Sequence, residues 1–169
     1  IRTWVGTARG DNGRTLVRFA WEAVRDFGGT EEPARVLLTA MGDAGGAFFR
    51  GRIPEQSRPA GRGLASPSSG MVNSVMMASF EADPGEMQIN VAVEGENGEV
   101  LDRDRESIDV PDFTGASLIL STPSFVRARN TMMWRELVDD WDATPAVSRE
   151  FRRTERLLLR FEAYAPGVT

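Results

Sequence analysis

The 169-residue sequence contains no cysteine, no histidine and no lysine, and arginine supplies all 20 of its basic side chains. Without cysteine there is no disulfide and no thiolate nucleophile, and without histidine the commonest general base near neutral pH is absent. Imidazole and thiolate are also the ligands that zinc, copper and iron sites favour. These absences exclude thiol catalysis, Schiff-base chemistry on lysine and metal sites built from cysteine or histidine.

Long apolar segments and an excess of positive charge are absent as well. No apolar run approaches the roughly 20 residues that a membrane-spanning helix needs, so the sequence predicts no membrane span. The net charge of −5 argues against nucleic acid as a partner, because phosphate neutralisation needs a basic surface. We expect neither a cofactor nor an enzymatic activity, although carboxylates, hydroxyls and Tyr164 remain available for catalysis.

The segment from Asp83 to Asp112 has the pattern of a β-hairpin. It opens with an Asp-Pro-Gly turn, because proline presets one central torsion and glycine accepts the positive φ that follows. Apolar residues then alternate with polar ones, which predicts a strand with one buried face. The apolar residues are Met87, Ile89, Val91 and Val93. Asn97-Gly98 tolerates two successive positive φ values and is expected to close the hairpin. The returning strand is expected to end at Pro111, which has no N–H to donate.

Alternation of the same kind recurs through the first two thirds of the chain. It gives about seven short strands in roughly 110 residues, separated by turn signals, and no helical periodicity interrupts them. A parallel sheet is not expected, because its crossover connections need helices. We therefore predict an all-β protein in which residues 1–113 form an immunoglobulin-like or fibronectin type III-like antiparallel sandwich with Trp21 in its core. Polar loops are expected at residues 26–33 and 54–70.

Residues 114–169, the C-terminal segment, are expected to contain a strand, a short helix and a strand. Ser117–Ser121 and Phe125–Arg129 are expected to form one strand that is bent at Pro123, and Asn130 is a suitable N-cap for a helix that extends to Trp141. Residues 156–164 are predicted to form the second strand. Its inward side chains are expected to be Leu157, Leu159, Phe161 and Ala163. Two strands and one helix are too few for a domain. The segment therefore either packs on the sandwich or begins a second β-rich module that another segment or chain completes.

Four stretches of the chain resemble a known kind of protein. They are WVGTARGDNGRTLVRFAWEAV, FEADPGEMQINVAVEGENGEVLDRDRESIDVPDF, LSTPSFVRAR and SREFRRTERLLLRFEAYAPG. Together they are similar to the region that follows the von Willebrand factor A-type domain in large secreted bacterial VWFA-related proteins. The metal-ion-dependent adhesion motif Asp-x-Ser-x-Ser is absent from the sequence, so no metal or adhesion residue is carried over. The resemblance implies an extracytoplasmic, non-enzymatic, multi-domain context of which this chain is an excerpt.

The C-terminal segment offers the clearest candidate for an interaction. Its predicted strands carry apolar side chains that need a partner, and addition of a strand from another chain would cover them. The candidate partner-binding residues are Leu118, Leu120, Leu157, Leu159 and Phe161. We therefore expect a structural or interaction module of an exported protein. Its partner would be another protein, a second copy of the chain or another domain of the same polypeptide.

Two other functions stay open. A carbohydrate-binding module would need several tryptophans exposed and aligned on one surface. The four tryptophans are Trp4, Trp21, Trp134 and Trp141, of which Trp21 alternates with the set expected to be buried. A carboxylate-based hydrolase would need two acids about 5 to 10 Å apart in one pocket. Because sandwiches host many functions, the fold alone does not choose between these activities.

Three acidic or mixed motifs have a structural interpretation beside the functional one. Arg9-Gly10-Asp11 matches a tripeptide that integrins bind, but it lies in an expected turn. Asp102, Asp104 and Glu106 share one face of a strand and either bind calcium or form a solvated ladder that protects a sheet edge. Asp139, Asp140 and Asp142 form a more compact group, for which calcium is equally a hypothesis.

The basic residues cluster near the end of the chain. They are Arg149, Arg152, Arg153, Arg156 and Arg160. Because the guanidinium group suits bidentate pairing, this cluster would either grip an acidic polymer or pair with acids of the sandwich. We prefer the second interpretation.

Overall fold

The computed structural model describes residues 1–24, 32–54 and 76–165. Strands make up most of the described chain, their pairings are antiparallel, and one short helix is present among the described residues. The prediction of a mostly β, antiparallel protein is therefore confirmed. The loops predicted at residues 26–33 and 54–70 lie almost wholly outside the described ranges.

Seven strands precede the C-terminal segment. They are β1 (Arg2–Arg9), β2 (Thr15–Glu22), β3 (Arg35–Gly42), β4 (Ala47–Ile53), β5 (Met77–Ala82), β6 (Gly85–Glu94) and β7 (Val100–Val110). The first sheet has the strand order β1-β2-β5, and the second sheet has the order β4-β3-β6-β7. The chain therefore passes from one sheet to the other between β2 and β3, between β4 and β5, and between β5 and β6.

One hydrophobic core is built from the inner faces of both sheets. Its members are Val17, Phe19, Trp21, Val36, Leu38, Ala40, Ile53, Phe80, Ala82, Met87, Ile89, Val91, Val93 and Val110. Along each central strand they occupy alternate positions, as expected for a strand with one face in the core. Trp21 is 2% exposed, and its indole N–H donates to the carbonyl oxygen of Ile53 at 3.1 Å, which links the two sheets. The predicted burial of Trp21 and of the alternating residues of β6 is confirmed.

The C-terminal segment forms a ribbon of two short strand pairs and a helix. Its elements are β8 (Ile119–Leu120), β9 (Ser124–Ala128), α1 (Thr131–Asp139), β10 (Arg156–Arg160) and β11 (Ala163–Tyr164). β8 pairs with β11, and β9 pairs with β10. The prediction of one continuous strand on each side of the helix is wrong, because each strand is interrupted where the pairing shifts by one residue between Leu120–Ala163 and Ser124–Arg160.

The helix α1 begins where the sequence predicts. The Oδ1 of Asn130 accepts a hydrogen bond from the backbone N–H of Met133 at 2.8 Å, which is the N-cap contact. The helix ends at Asp139 and not at Trp141. With nine residues it is short, and no helix in the described ranges has the length and apolar character needed to cross a membrane.

The C-terminal segment lies against the first sheet. The backbone N–H of Thr122 donates to the carbonyl oxygen of Thr7 at 2.8 Å, so the segment contacts the free edge of β1. Two ion pairs add to this contact. Arg18 pairs with Asp142 at 3.1 Å, and Arg2 pairs with Glu150 at 2.7 Å. The division into two modules near residue 113 stays a prediction.

The turn between β6 and β7 differs from the expected one. Gly98 has a φ of +82°, but Asn97 does not have a positive φ, because Asn12 is the one described non-glycine residue that does. The turn therefore runs from Gly95 to Gly98, where the N–H of Gly98 donates to the carbonyl oxygen of Gly95 at 3.1 Å. A bulge near Val93 follows from this geometry. Two successive positive φ values occur instead at Asn12-Gly13, between β1 and β2.

Gly98→Ala is expected to reduce the free energy of unfolding by about 1 kcal/mol or more, because a positive φ is sterically unfavourable for alanine and not for glycine. The new Cβ would also lie 3.0 Å from Nη2 of Arg35. Urea unfolding followed by circular dichroism measures this. Gly46→Ala is the matched control, because its φ is not positive and nothing lies within 4 Å of the added Cβ. Equal losses in the two variants would show that the turn is wrongly described.

Candidate functional site

All five candidate partner-binding residues are exposed. The exposed fractions are 67% for Leu118, 52% for Leu120, 40% for Leu157, 48% for Leu159 and 52% for Phe161. The prediction that Leu157, Leu159, Phe161 and Ala163 point inward is therefore wrong, since Ala163 is exposed as well. The physical reason for β10 is the register with β9, in which Leu158 pairs with the buried Val126. Three successive leucines allow either face of β10 to point inward, and in the structure the middle one does so and is half-buried.

The inward face of β10 carries arginines. Arg156 and Arg160 share this face with Leu158, because side chains alternate along a strand. The guanidinium carbon of Arg156 lies 5.9 Å from the ring centroid of Trp134, and that of Arg160 lies 5.1 Å from the ring of Trp141. β10 is thus inverted relative to an ordinary surface strand, with charged side chains over the helix and leucines toward solvent.

Arg160 also caps the C-terminal end of α1. Its guanidinium donates to the carbonyl oxygens of Leu137, Val138 and Asp140, which have no partner within the helix. A cation at this position interacts favourably with the helix dipole and offsets the acids of the last turn. Among the acids of this region, Asp142 pairs with Arg18 at 3.1 Å.

The predicted pairing of the basic cluster with acids of the sandwich is not found for the acids that the structure describes. Within the described ranges, none of its five arginines forms an ion pair with an acid of residues 1–113. Arg149 instead lies over the ring of Phe125, with 4.6 Å between guanidinium carbon and ring centroid. In the ion pairs that join residues 1–113 to the C-terminal segment, the arginine belongs to residues 1–113 and the acid to the segment. Arg2 of β1 pairs with Glu150, and Arg18 of β2 pairs with Asp142.

The outer edge of the ribbon, which β10 and β11 form, is unpaired among the described residues. Within the described residues, β10 pairs with β9 alone and β11 pairs with β8 alone. The outer edge of Arg156–Arg160 therefore presents backbone N–H and C=O groups to a further strand. Leu157 and Leu159 stand beside that edge and are exposed. Their paired residues on the neighbouring strand, Arg127 and Phe125, are half-buried and contact Phe151. The arrangement is suited to bind another extended segment.

A second candidate site is a cleft between the first sheet and the C-terminal segment, with a volume of about 110 Å³. Its lining is Trp4, Gly6, Thr7, Ala8, Arg9, Leu16, Arg18, Ser121, Thr122, Ser124, Trp141, Arg160, Phe161 and Glu162. The ring of Trp4 covers Gly6, where an added Cβ would lie 2.2 Å from it. Two of the four tryptophans thus share one cleft. Trp21 lies in the core.

The cleft offers little for acid–base catalysis. Of its lining residues, Glu162 is the one carboxylate, whereas a glycoside hydrolase needs two. Tyr164 donates its hydroxyl to Glu162 and accepts a hydrogen bond from the N–H of Arg9 at 3.2 Å. Burial and the neighbouring Glu162 raise the pKa of Tyr164. The hydroxyl therefore stays protonated at neutral pH and is not poised as a base.

The other predicted sites stay apart from these surfaces. Arg9-Gly10-Asp11 lies at the end of β1 and in the following turn, as expected. Asp102, Asp104 and Glu106 are exposed and spread along β7. No group of three or more acids within the described ranges is placed to hold a metal ion.

Sequence reasoning missed a buried carboxylate at the end of β6. Glu94 is 4% exposed, and its Oε2 accepts from Nε of Arg35 at 2.7 Å and from Nε of Arg52 at 2.9 Å. A third contact joins Nη2 of Arg52 to Oε1 at 3.1 Å, so the Arg52 pair is bidentate. The hydrogen bonds from Arg52 and Arg35 hold the pKa of Glu94 below its ordinary value of 4.5, although burial acts to raise it. This cluster ties β3, β4 and β6 together.

The chain matches no protein-family model, no curated protein and no solved structure. The resemblance to the VWFA-related region stays a prediction. The function is therefore inferred from the free edge of β10 and from the cleft.

Glu94→Gln is expected to reduce the free energy of unfolding at pH 7 by about 2–4 kcal/mol, because two arginines lose a buried anionic partner. A carboxyl with a lowered folded-state pKa contributes its full stability above the unfolded value and loses it as the pH falls through the folded value. The difference between wild type and variant should therefore be smaller at about pH 3 than at pH 7 in urea unfolding. Glu96→Gln, in the exposed hairpin, is the control and should change little. An unchanged difference at both pH values would contradict the assignment.

Proposed function

We propose that the chain is a non-enzymatic interaction module that binds a β-strand along the free edge of β10. The observation that carries this proposal is the inverted strand, in which Leu157 and Leu159 face solvent while Arg156 and Arg160 face the helix. A two-stranded ribbon is marginal on its own and gains stability from a third strand. The function is recognition by strand addition.

Backbone and side chains would contribute together to such binding. An added strand pairs with the N–H and C=O groups of the outer edge of Arg156–Arg160 and places alternate side chains over the exposed leucines. Covering one half-exposed leucine contributes on the order of 1 kcal/mol, from about 25 cal/mol per Å² of apolar surface. Leu118, Leu120 and Phe161 extend the apolar surface toward β8 and β11.

The proposal extends to the scaffold. We take residues 1–113 to be a fibronectin type III-like sandwich, because β4 pairs with β3 and not with β5. In an immunoglobulin constant-type domain, by contrast, the fourth strand joins the sheet of the fifth. An extracytoplasmic location in a larger VWFA-related protein fits this scaffold. The added strand would then come from another domain of the same polypeptide, from a second copy or from a separate protein.

Leu159→Arg is expected to abolish self-association of the isolated chain. A second copy is the partner available to the purified protein, and a charge on the apolar face opposes strand addition. Sedimentation velocity between about 1 and 200 µM should show a reversible dimer for wild type and a monomer for the variant.

Met132→Arg is the matched control, because Met132 is 70% exposed on α1, away from β10. It makes the same change in charge and should leave the dimer intact. Self-association by this edge is contradicted if wild type stays monomeric throughout the range, or if both variants weaken the dimer equally.

A second candidate function is carbohydrate binding in the cleft. It is favoured by the common position of Trp4 and Trp141, since aromatic rings stack on the apolar faces of sugars as they do on other ligands. The polar side chains of Arg9, Arg18 and Glu162 would then bind hydroxyl groups.

Trp141→Ala tests this second candidate. The ring is 61% exposed, so its removal should leave the core intact while weakening binding to a neutral oligosaccharide panel by at least about tenfold. Isothermal titration calorimetry measures the affinity, and Trp134→Phe is the control because Trp134 lies under Arg156 and outside the cleft. If wild type binds no member of the panel, the carbohydrate function is rejected.

A further inference from the structure

The outer face of the second sheet carries two cross-strand rows with arginine at both ends. In one row the paired residues run Arg52, Leu37, Ala92 and Arg103, and in the other they run Arg50, Thr39, Asn90 and Arg105. Directly opposite residues share a face, and the core residues lie at the intervening positions. All four arginines therefore stand on the side of the sheet that faces away from the core.

Short side chains separate the two arginine pairs. Strands lie about 4.8 Å apart, so the backbones of β4 and β7 stand about 14 Å from each other. Leu37, Thr39, Asn90 and Ala92 lie between them. The guanidinium group of Arg52 reaches across to Glu94 of β6, and that of Arg105 donates to Gln88 of β6, so these two cations lie over the sheet. This arginine-bearing outer surface is called the trough.

The charge of this trough is largely uncompensated. Among the described residues, Arg50, Arg103 and Arg105 form no ion pair, and all three are exposed. Arg52 binds Glu94 but keeps a side-chain exposure of 50%. The acids of β7 nearest the trough, Asp102 and Asp104, belong to the alternate positions that face the other side. This surface is thus cationic although the chain has a net charge of −5.

We propose that this trough binds a linear anionic polysaccharide. The exposed guanidinium groups of both edge strands can pair with sulfate or carboxylate groups spaced along a chain. Thr39 and Asn90, between the pairs, can bind sugar hydroxyls. The site is independent of strand addition at β10, because it lies on the second sheet whereas the C-terminal segment packs on the first.

Other linear polyanions fit less well. Single-stranded nucleic acid is held by aromatic side chains on which bases stack, and the eight residues of the two rows include no aromatic residue. An acidic peptide strand lying over the centre of the sheet would find no free backbone partner, because β3 and β6 are each paired on both sides.

The test is isothermal titration calorimetry with a heparin-derived octasaccharide at about 50 mM salt. Arg50→Gln/Arg103→Gln removes one cation from each side and should weaken binding by at least about tenfold. Arg129→Gln/Arg135→Gln makes the same change in charge at exposed positions of the C-terminal segment that lie outside the basic cluster and form no ion pair among the described residues, and it should weaken binding less than twofold. Arg50→Lys/Arg103→Lys retains both positive charges and should keep most of the affinity. That result would show that the glutamine variant binds weakly because it lost charge and not because it misfolded.

Three results would overturn the proposal. They are absence of wild-type binding to the octasaccharide, equal weakening by the two glutamine double variants, and equal or tighter binding of a single-stranded oligodeoxynucleotide of similar charge. Neutral dextran should not bind. A loss confined to the trough variant, with DNA the weaker ligand, supports the assignment.

Discussion

The register between β3 and β6 is the constraint on which the surfaces of the second sheet depend. Val36 lies opposite Val93, and Leu38 lies opposite Val91, so the buried residues of both central strands point into one core. A shift of one residue would move this apolar set to the solvent side, so burial fixes the register strongly. The arginines of the two edge strands are then carried to the outer face by alternation alone.

Arginine performs in this chain several tasks that other proteins divide among basic residues. Arg160 combines contact with an indole ring and capping of the helix end, which suits a planar group with five donors. Arg35 and Arg52 hold one buried carboxylate in a fixed geometry. Arg2 and Arg18 attach the C-terminal segment to the first sheet through exposed pairs, which contribute little each. The hydrogen bonds that join Thr122 to Thr7 therefore matter for that attachment as well.

Local patterns were sufficient to predict some elements and insufficient for others. The alternation of Met87–Val93 and the Asn130 cap depend on neighbours in the chain, and both are confirmed. The orientation of Leu157–Leu159 was wrong, because three successive leucines give either face the same apolar character and pairing with β9 decides it. The Glu94 cluster and the arginine trough join residues of strands far apart in sequence. No spacing predicts such sites until the strand order is known.

The most direct test of this account is the cross-strand NOE pattern of the second sheet in solution. Backbone contacts should join Leu37 with both Arg52 and Ala92, and Ala92 with Arg103, as the register requires. That pattern would establish that the edge arginines share the face opposite the buried residues of β3 and β6. Contacts displaced by one residue would place arginines and core residues on the same face and contradict the account, as would a parallel pairing of β3 with β6.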